Sequence, residues 1–205
     1  ARDPADRAAV RRELQVADNA FVFLSVGNAR PEKGFEDLVA AVSATRGQHP
    51  ELPFEVWIAG GLTDSDYCNR LRAAVDTPEM AGVRLLGFRN DASRLYSAAD
   101  AIVIPSRSEG LPLVLLEGMT AGLPIIATRV GGIPDALPEG CGLLVEPGQP
   151  PSLADALLAI RTSSRAVCEA MGSAARDRAI REFGVDAMAN RYLALYASQL
   201  RARGK

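Results

Sequence analysis

Two glutamates, Glu109 and Glu117, bracket the start of an apolar segment in Pro105-Ser106-Arg107-Ser108-Glu109-Gly110-Leu111-Pro112-Leu113-Val114-Leu115-Leu116-Glu117-Gly118-Met119-Thr120-Ala121-Gly122. Pro112 suits a first helical turn and Gly122 a C-terminal stop, so the spacing predicts a helix over about 112–121. Glu117 is the only charge inside it. A helix apolar nearly all round is expected to be buried, and a buried carboxylate is costly unless paired or hydrogen-bonded. Glu117 also lies beyond the first turn, out of reach of the helix dipole. It therefore needs donors, either an internal Arg or Lys or the hydroxyls of a ligand. Glu109 precedes the helix, where the N–H groups of Gly110 and Leu111 are placed to receive an anion. One helix end could thus hold a diphosphate between two carboxylates that accept hydroxyls.

A second cluster is Gly27-Asn28-Ala29-Arg30-Pro31-Glu32-Lys33-Gly34. Its glycines permit tight turning and close approach to a ligand, and two cations beside a helix start suit a phosphate. An ordinary solvated turn reads equally well from these residues alone. Neither G-x-G-x-x-G nor G-x-x-x-x-G-K-[ST] occurs, so dehydrogenase and P-loop readings lose their usual support.

These residues need a frame that brings loops together. A continuous apolar run at 21–26 is followed by similar, largely apolar runs at 54–59, 83–86, 101–104, 124–127 and 142–145, the pattern of strands buried on both faces. Helical stretches lie between them at about 35–46, 64–75, 92–98 and 112–121. A first helix is capped by Asp3 with Pro4 at its opening position, and helices near 151–161, 165–182 and 186–202 close the chain. Alternating strands and helices predict an α/β fold: a Rossmann-like, doubly wound parallel sheet of about six strands, with helices on both faces and C-terminal helices beyond. Residues 1–205 read as a single domain. In such a sheet ligands bind at the carboxyl ends of the strands, where both clusters fall.

Composition narrows the class. A formal net charge of -2 argues against a general nucleic-acid or anionic-membrane surface. No apolar run approaches a bilayer span, and the charged opening lacks a signal-peptide core, so a cytoplasmic protein is expected. Cys68, Cys141 and Cys168 form no C-x-x-C pair and are expected to be reduced thiols. His49 is the single histidine, which excludes a His-based triad within these residues and points to a solvent-facing position beside Pro50. Asp64-Ser65-Asp66 has a D-x-D form, but it follows Gly60-Gly61 and opens a helix, where such residues serve as caps. No metal and no cofactor are expected. Trp57 reads as core, and the stripe Met188, Tyr192, Leu195 and Tyr196 reads first as packing against this same domain.

The run E-G-L-P-L-V-L-L-E-G-M-T-A-G-L-P-I-I-A-T-R-V-G-G-I-P-D resembles the signature of retaining group 1 glycosyltransferases of the two-domain GT-B architecture, with its E-x7-E spacing on Glu109 and Glu117. The upstream V-G-N-A-R-P-E-K-G resembles that family's phosphate loop, and A-D-A-I-V-I-P-S supplies the expected strand. The resemblance implies that Glu109 contacts a donor sugar and Glu117 the nucleotide ribose. It implies that Lys33 meets the diphosphate with the Gly110 and Leu111 amides assisting, in a site completed by Gly27 and Pro112. The loop at Phe88 and Arg89 would flank the base. Where the family often has Arg after the first loop glycine, this chain has Asn28, with Arg30 two residues on as a substitute. Asp135 stands where Glu is common.

By the same resemblance, these residues correspond to the donor-binding half of the enzyme, and the N-terminal acceptor-binding domain has no counterpart in them. The fragment alone is then expected to transfer sugar slowly or not at all. A terminal helix of the family also crosses to that partner domain. Two other readings stay open: a GT-B-type sugar-nucleotide epimerase, and a non-catalytic nucleotide-binding module. Glu109 favours an enzyme, because a pure nucleotide sensor has no need of a carboxylate facing the sugar.

Overall fold

The computed structural model describes residues 2–17 and 19–203. Among them run, in order, α1 (Pro4–Glu13), β1 (Phe21–Val26), α2 (Phe35–Gln48), β2 (Phe54–Ala59), α3 (Asp66–Val75), β3 (Val83–Gly87), α4 (Ala92–Ala98) and β4 (Ala101–Ile104). These are followed by α5 (Leu113–Ala121), β5 (Ile125–Thr128), α6 (Ile133–Ala136), β6 (Leu143–Val145), α7 (Pro150–Thr162), α8 (Arg165–Phe183) and α9 (Val185–Arg203). The strands form one parallel sheet in the order β3-β2-β1-β4-β5-β6.

Successive strand side chains point to opposite faces, and here each face has its own apolar layer. Leu24, Trp57, Ile102 and Ile125 share one cluster with Leu95 of α4, Leu115 and Met119 of α5, and Ala175 of α8. Their sequence neighbours Phe23, Val56, Ile58, Val103 and Ile126 join Leu38 and Val42 of α2, Leu71 of α3 and Leu157 of α7 on the other face. That is why the strands read as largely apolar runs. Trp57 is fully buried, its indole N–H donating to Glu55 Oε2 at 3.0 Å, so it is a core residue.

The chain winds outward from β1 to β3, then returns to lay β4 beside β1 in the register Phe23↔Ala101 and Leu24↔Ile102. This reversal opens a crevice at the carboxyl ends of β1 and β4. The loops following those two strands are the two clusters singled out above.

A polar clasp fixes α1 on the sheet. Arg11, 1% exposed, donates from Nε to the Ala98 carbonyl at 3.0 Å and pairs with Asp100 Oδ2 at 2.7 Å. Asp100 also accepts the Val22 amide at 2.9 Å, tying α1 to the start of β1. Buried charge survives where it is paired and hydrogen-bonded, as here.

Several elements differ from expectation. The short helix α6 and the 3-10 turns Pro31–Lys33 and Pro78–Met80 carry too few residues for an apolar period. β5 opens at Ile125 because Pro124 has no amide for the ladder, although its carbonyl accepts from Ile102 N at 2.9 Å. The last helix overturns a prediction. Met188, Tyr192, Leu195 and Tyr196 are each more than half exposed, because α9 packs chiefly on α8 and leaves its stripe uncovered. Among the described residues no helix is long and apolar enough to cross a membrane.

Candidate functional site

The loop after β1 is held down by its own backbone. Gly27 N donates to the Ala59 carbonyl at 2.8 Å and Ala29 N to that of Gly61 at 2.9 Å. Asn28 joins the same tie, its side-chain oxygen accepting the Gly61 amide at 3.0 Å. The turn Pro31–Lys33 then ends at Gly34, whose φ of +65° and contact with strand 4's exit demand glycine. A Cβ there would stand 2.0 Å from the Pro105 carbonyl oxygen. The turn sends the Lys33 stem across Gly27 and its ammonium toward the loop after β4.

There Lys33 Nζ lies 2.7 Å from Glu109 Oε1, and Ser106 Oγ donates to the same oxygen at 2.7 Å. The two loops meet elsewhere too. Arg107 forms a two-pronged pair with Asp37 at the start of α2, at 2.8 and 2.7 Å, and Arg107 N donates to the Glu32 carbonyl at 2.8 Å. A fork of this kind fixes orientation as well as distance, and Asp37 raises the guanidinium's already high pKa. Gly131 supports the loop from below. Its φ is +52°, and a Cβ there would lie 2.0 Å from the Glu109 carbonyl oxygen. Gly132 N donates to the Gly110 carbonyl at 2.6 Å.

Past this point the chain turns into α5 through Pro112, its N-cap. The amides of Gly110 and Leu111 find no acceptor among the described residues, so they remain available to an anion. Lys33, Glu109 and these amides thus come together at the exits of β1 and β4.

Glu117 differs from the prediction in one respect. It is exposed rather than buried, because α5 buries only Leu115, Gly118 and Met119 and turns Leu113, Glu117 and Thr120 outward. Among the described residues no Arg or Lys forms an ion pair with it; its partner is the Tyr96 hydroxyl on α4, which donates to Oε2 at 2.7 Å. Burial, and then this bond to Glu117, hold the Tyr96 phenol well above its ordinary pKa. Oε1 has no partner among the described residues.

The remaining candidates divide. Phe88 is 78% exposed, a bare aromatic face at the exit of β3. Arg89 beside it is engaged inside the chain, donating to both Asp91 oxygens at 2.8 Å and to Glu13 at 2.5 Å. Arg30 is largely exposed and stands 4.0 Å from Glu32, so it is not drawn into the Lys33–Glu109 contact. The D-x-D segment serves α3: Ser65 Oγ caps the helix by accepting from Cys68 N, and Asp64 accepts from Asn69. Among the described residues no three His, Cys, Asp or Glu side chains gather to hold a metal. Cys68 and Cys141 are buried free thiols, and Cys168 is half-buried. Tyr96 and the Arg107–Asp37 pair were missed, since no local spacing links residues that the fold brings together from separate elements; Ser106, three residues before Glu109 in the same loop, was missed although its spacing was local.

Comparison with known proteins places this geometry. The family model described as "Glycosyl transferases group 1" matches residues 20–163. A D-inositol 3-phosphate glycosyltransferase from Corynebacterium efficiens is 37% identical over 155 residues, which cover 72% of this chain and 36% of the relative. This chain therefore spans little more than a third of that curated relative's length. Among solved structures, sucrose-phosphate synthase from Thermosynechococcus elongatus superposes with a TM-score of 0.81 at 30% identity, covering 95% of this chain and 49% of that one. Anabaena Alr3699/HepE, in complex with UDP and glucose, superposes with a TM-score of 0.83 at 26% identity, covering 96% of this chain and 53% of that one. The E-x7-E segment and the Lys33 loop both lie within the matched residues, and this chain belongs to the group 1 glycosyltransferase family.

Proposed function

We propose that this chain binds a nucleotide-diphosphate sugar and that the intact enzyme transfers the glycosyl group to an acceptor with retention of anomeric configuration. The observation that carries the reading is the meeting of Lys33 and Glu109, at 2.7 Å, across the crevice where the strand order reverses. A diphosphate entering there finds an ammonium and the free amides of Gly110 and Leu111. Both are fixed before any charge develops, and such preorganised donors stabilise a leaving diphosphate most in a cleft closed to water. No metal has a role in this mechanism.

Glu109, released from Lys33 as the diphosphate takes the ammonium, accepts hydroxyls of the sugar. Glu117 accepts hydroxyls of the ribose through its unpartnered oxygen, and Phe88 offers an aromatic face to the base. Arg89, committed to Asp91 and Glu13, shapes the base loop rather than contacting a phosphate. The solved relative holding UDP and glucose supports a nucleoside diphosphate sugar as the donor class. The relatives' greater length supports an N-terminal acceptor-binding domain as partner, with the exposed α9 stripe directed to it.

The test is product analysis of the intact enzyme with a donor sugar. Formation of a glycoside with the donor's anomeric configuration, together with free nucleoside diphosphate, supports the proposal. Inverted product overturns retention. Interconversion of the sugar on the nucleotide, with no glycoside formed, identifies an epimerase instead. Binding without any turnover identifies a non-catalytic module.

A further inference from the structure

Glu117 is a glutamate on an exposed helical face, and such a side chain ordinarily samples several rotamers. Here one oxygen is tied to a group that cannot move. Tyr96 is 4% exposed, its ring packed in the apolar layer with Leu95, Leu115 and Met119, and its hydroxyl reaches Glu117 Oε2 at 2.7 Å. Tyr96 and Glu117 together line a groove between α4 and α5 with Ala92, Ser93 and Thr120.

Burying a tyrosine hydroxyl without a partner is costly, so the phenol and the carboxylate specify one another. An O–H donor on an ionised acceptor is also among the stronger hydrogen bonds, which fixes the direction of the second oxygen. The Tyr96 hydroxyl donates to one carboxylate oxygen and leaves the other open as an acceptor.

We infer that Tyr96 is a positioning residue: its hydroxyl holds the Glu117 carboxylate in the one orientation that accepts ribose hydroxyls, and so sets the preference for ribonucleotide over 2′-deoxyribonucleotide. This rests on the proposed contact of Glu117 with the ribose. A freely rotating glutamate would lose part of its hydroxyl discrimination to ordering on each binding event, whereas a pre-oriented one does not.

The experiment is calorimetric titration of the chain with UDP, GDP and ADP and with their 2′-deoxy counterparts, for the wild type and for Tyr96→Phe, Glu117→Ala and the double variant. The wild type is expected to prefer the ribonucleotide by about tenfold, the size of one hydrogen bond to a charged group. Tyr96→Phe keeps the ring and its packing. It should remove most of that preference by weakening the ribonucleotide while leaving the 2′-deoxy form within about twofold, and the double variant should match Glu117→Ala.

Equal weakening of both nucleotides, or a preference that survives Tyr96→Phe, overturns the inference while leaving the ribose contact standing. Failure of the wild type to bind any nucleotide, or to distinguish the two sugars, overturns the ribose contact itself and this inference with it. Should Tyr96→Phe not fold, Tyr96→Met, which removes the hydroxyl while leaving Glu117 in place, must lose the same preference for the inference to stand.

Discussion

Lys33 Nζ and Glu109 Oε1 are 2.7 Å apart, although β2, β3 and β4 intervene between the two residues in the chain. The pair is partly shielded, with side chains 25% and 12% exposed. Each partner therefore blunts the other, and a diphosphate must compete with Glu109 for the ammonium.

Glu109→Gln is accordingly expected to have opposite effects on binding and transfer. Removing the carboxylate charge frees Lys33 and ends repulsion of the diphosphate, so nucleoside diphosphate affinity should rise by about three- to tenfold, equivalent to roughly 1 kcal/mol for a part-exposed pair. Sugar transfer by the intact enzyme should fall, because the amide is a poorer acceptor for hydroxyls. Calorimetry and product assays on the same variant check both signs. Weaker nucleotide binding would mean that Glu109 serves the diphosphate site rather than opposing it.

Gly131→Ala should damage the site without touching any side chain in it. The residue sits at φ +52°, and its new Cβ would meet the Glu109 carbonyl oxygen at 2.0 Å. The left-handed conformation costs an alanine about 1–2 kcal/mol, and the collision forces the loop to move besides. Denaturant unfolding should show a loss of at least about 1 kcal/mol, accompanied by weaker nucleotide binding. A variant with wild-type stability and affinity would show that the loop is not braced from this side.

Much of this arrangement was legible in the sequence, and the limits have physical causes. β1, β2 and β4 begin and end where the largely apolar runs do, because strands buried on both faces keep nearly every position apolar. Asp3 caps α1 as read, accepting from Ala5 N at 2.8 Å. The Gly110 and Leu111 amides were singled out from local spacing, whereas the roles of Lys33 and Glu109 came from the resemblance; all four sit on loops at the ends of strands whose position the fold class dictates. Glu117 was read as buried, and its need for donors followed from that burial; it is exposed instead. Apolar composition around a helix does not reveal that Leu113, 72% exposed, and Glu117 share an uncovered face. The same blind spot hid the exposure of the α9 stripe. Tyr96 lay beyond any spacing argument, because its bond to Glu117 depends on how α4 and α5 lie against each other.

Alkaline pH offers a separate test of the buried phenols. Folding raises the Tyr96 pKa well above its ordinary value of 10, through burial first and then the bond to Glu117, and burial raises Tyr67 as well. A raised acid pKa means that the unfolded chain releases its proton first. The stabilisation is complete below about pH 10 and is lost as pH climbs above it, by at most about 1.4 kcal/mol per pH unit for each tyrosine. Unfolding free energies measured from pH 8 to 11 should begin to decline near pH 9, where burial also raises the Cys168 thiol, and fall faster above pH 10, the second phase being less steep in Tyr96→Phe. A slope unchanged by that substitution would place the titration elsewhere.

The central claim, that the crevice between the β1 and β4 loops receives a nucleoside diphosphate, is tested most directly by calorimetric titration of the chain with UDP, GDP and ADP. Saturable binding of at least one nucleotide is predicted, abolished by Lys33→Ala and weakened by Glu117→Ala. Absence of binding by all three, or binding that Lys33→Ala leaves unchanged, would contradict it.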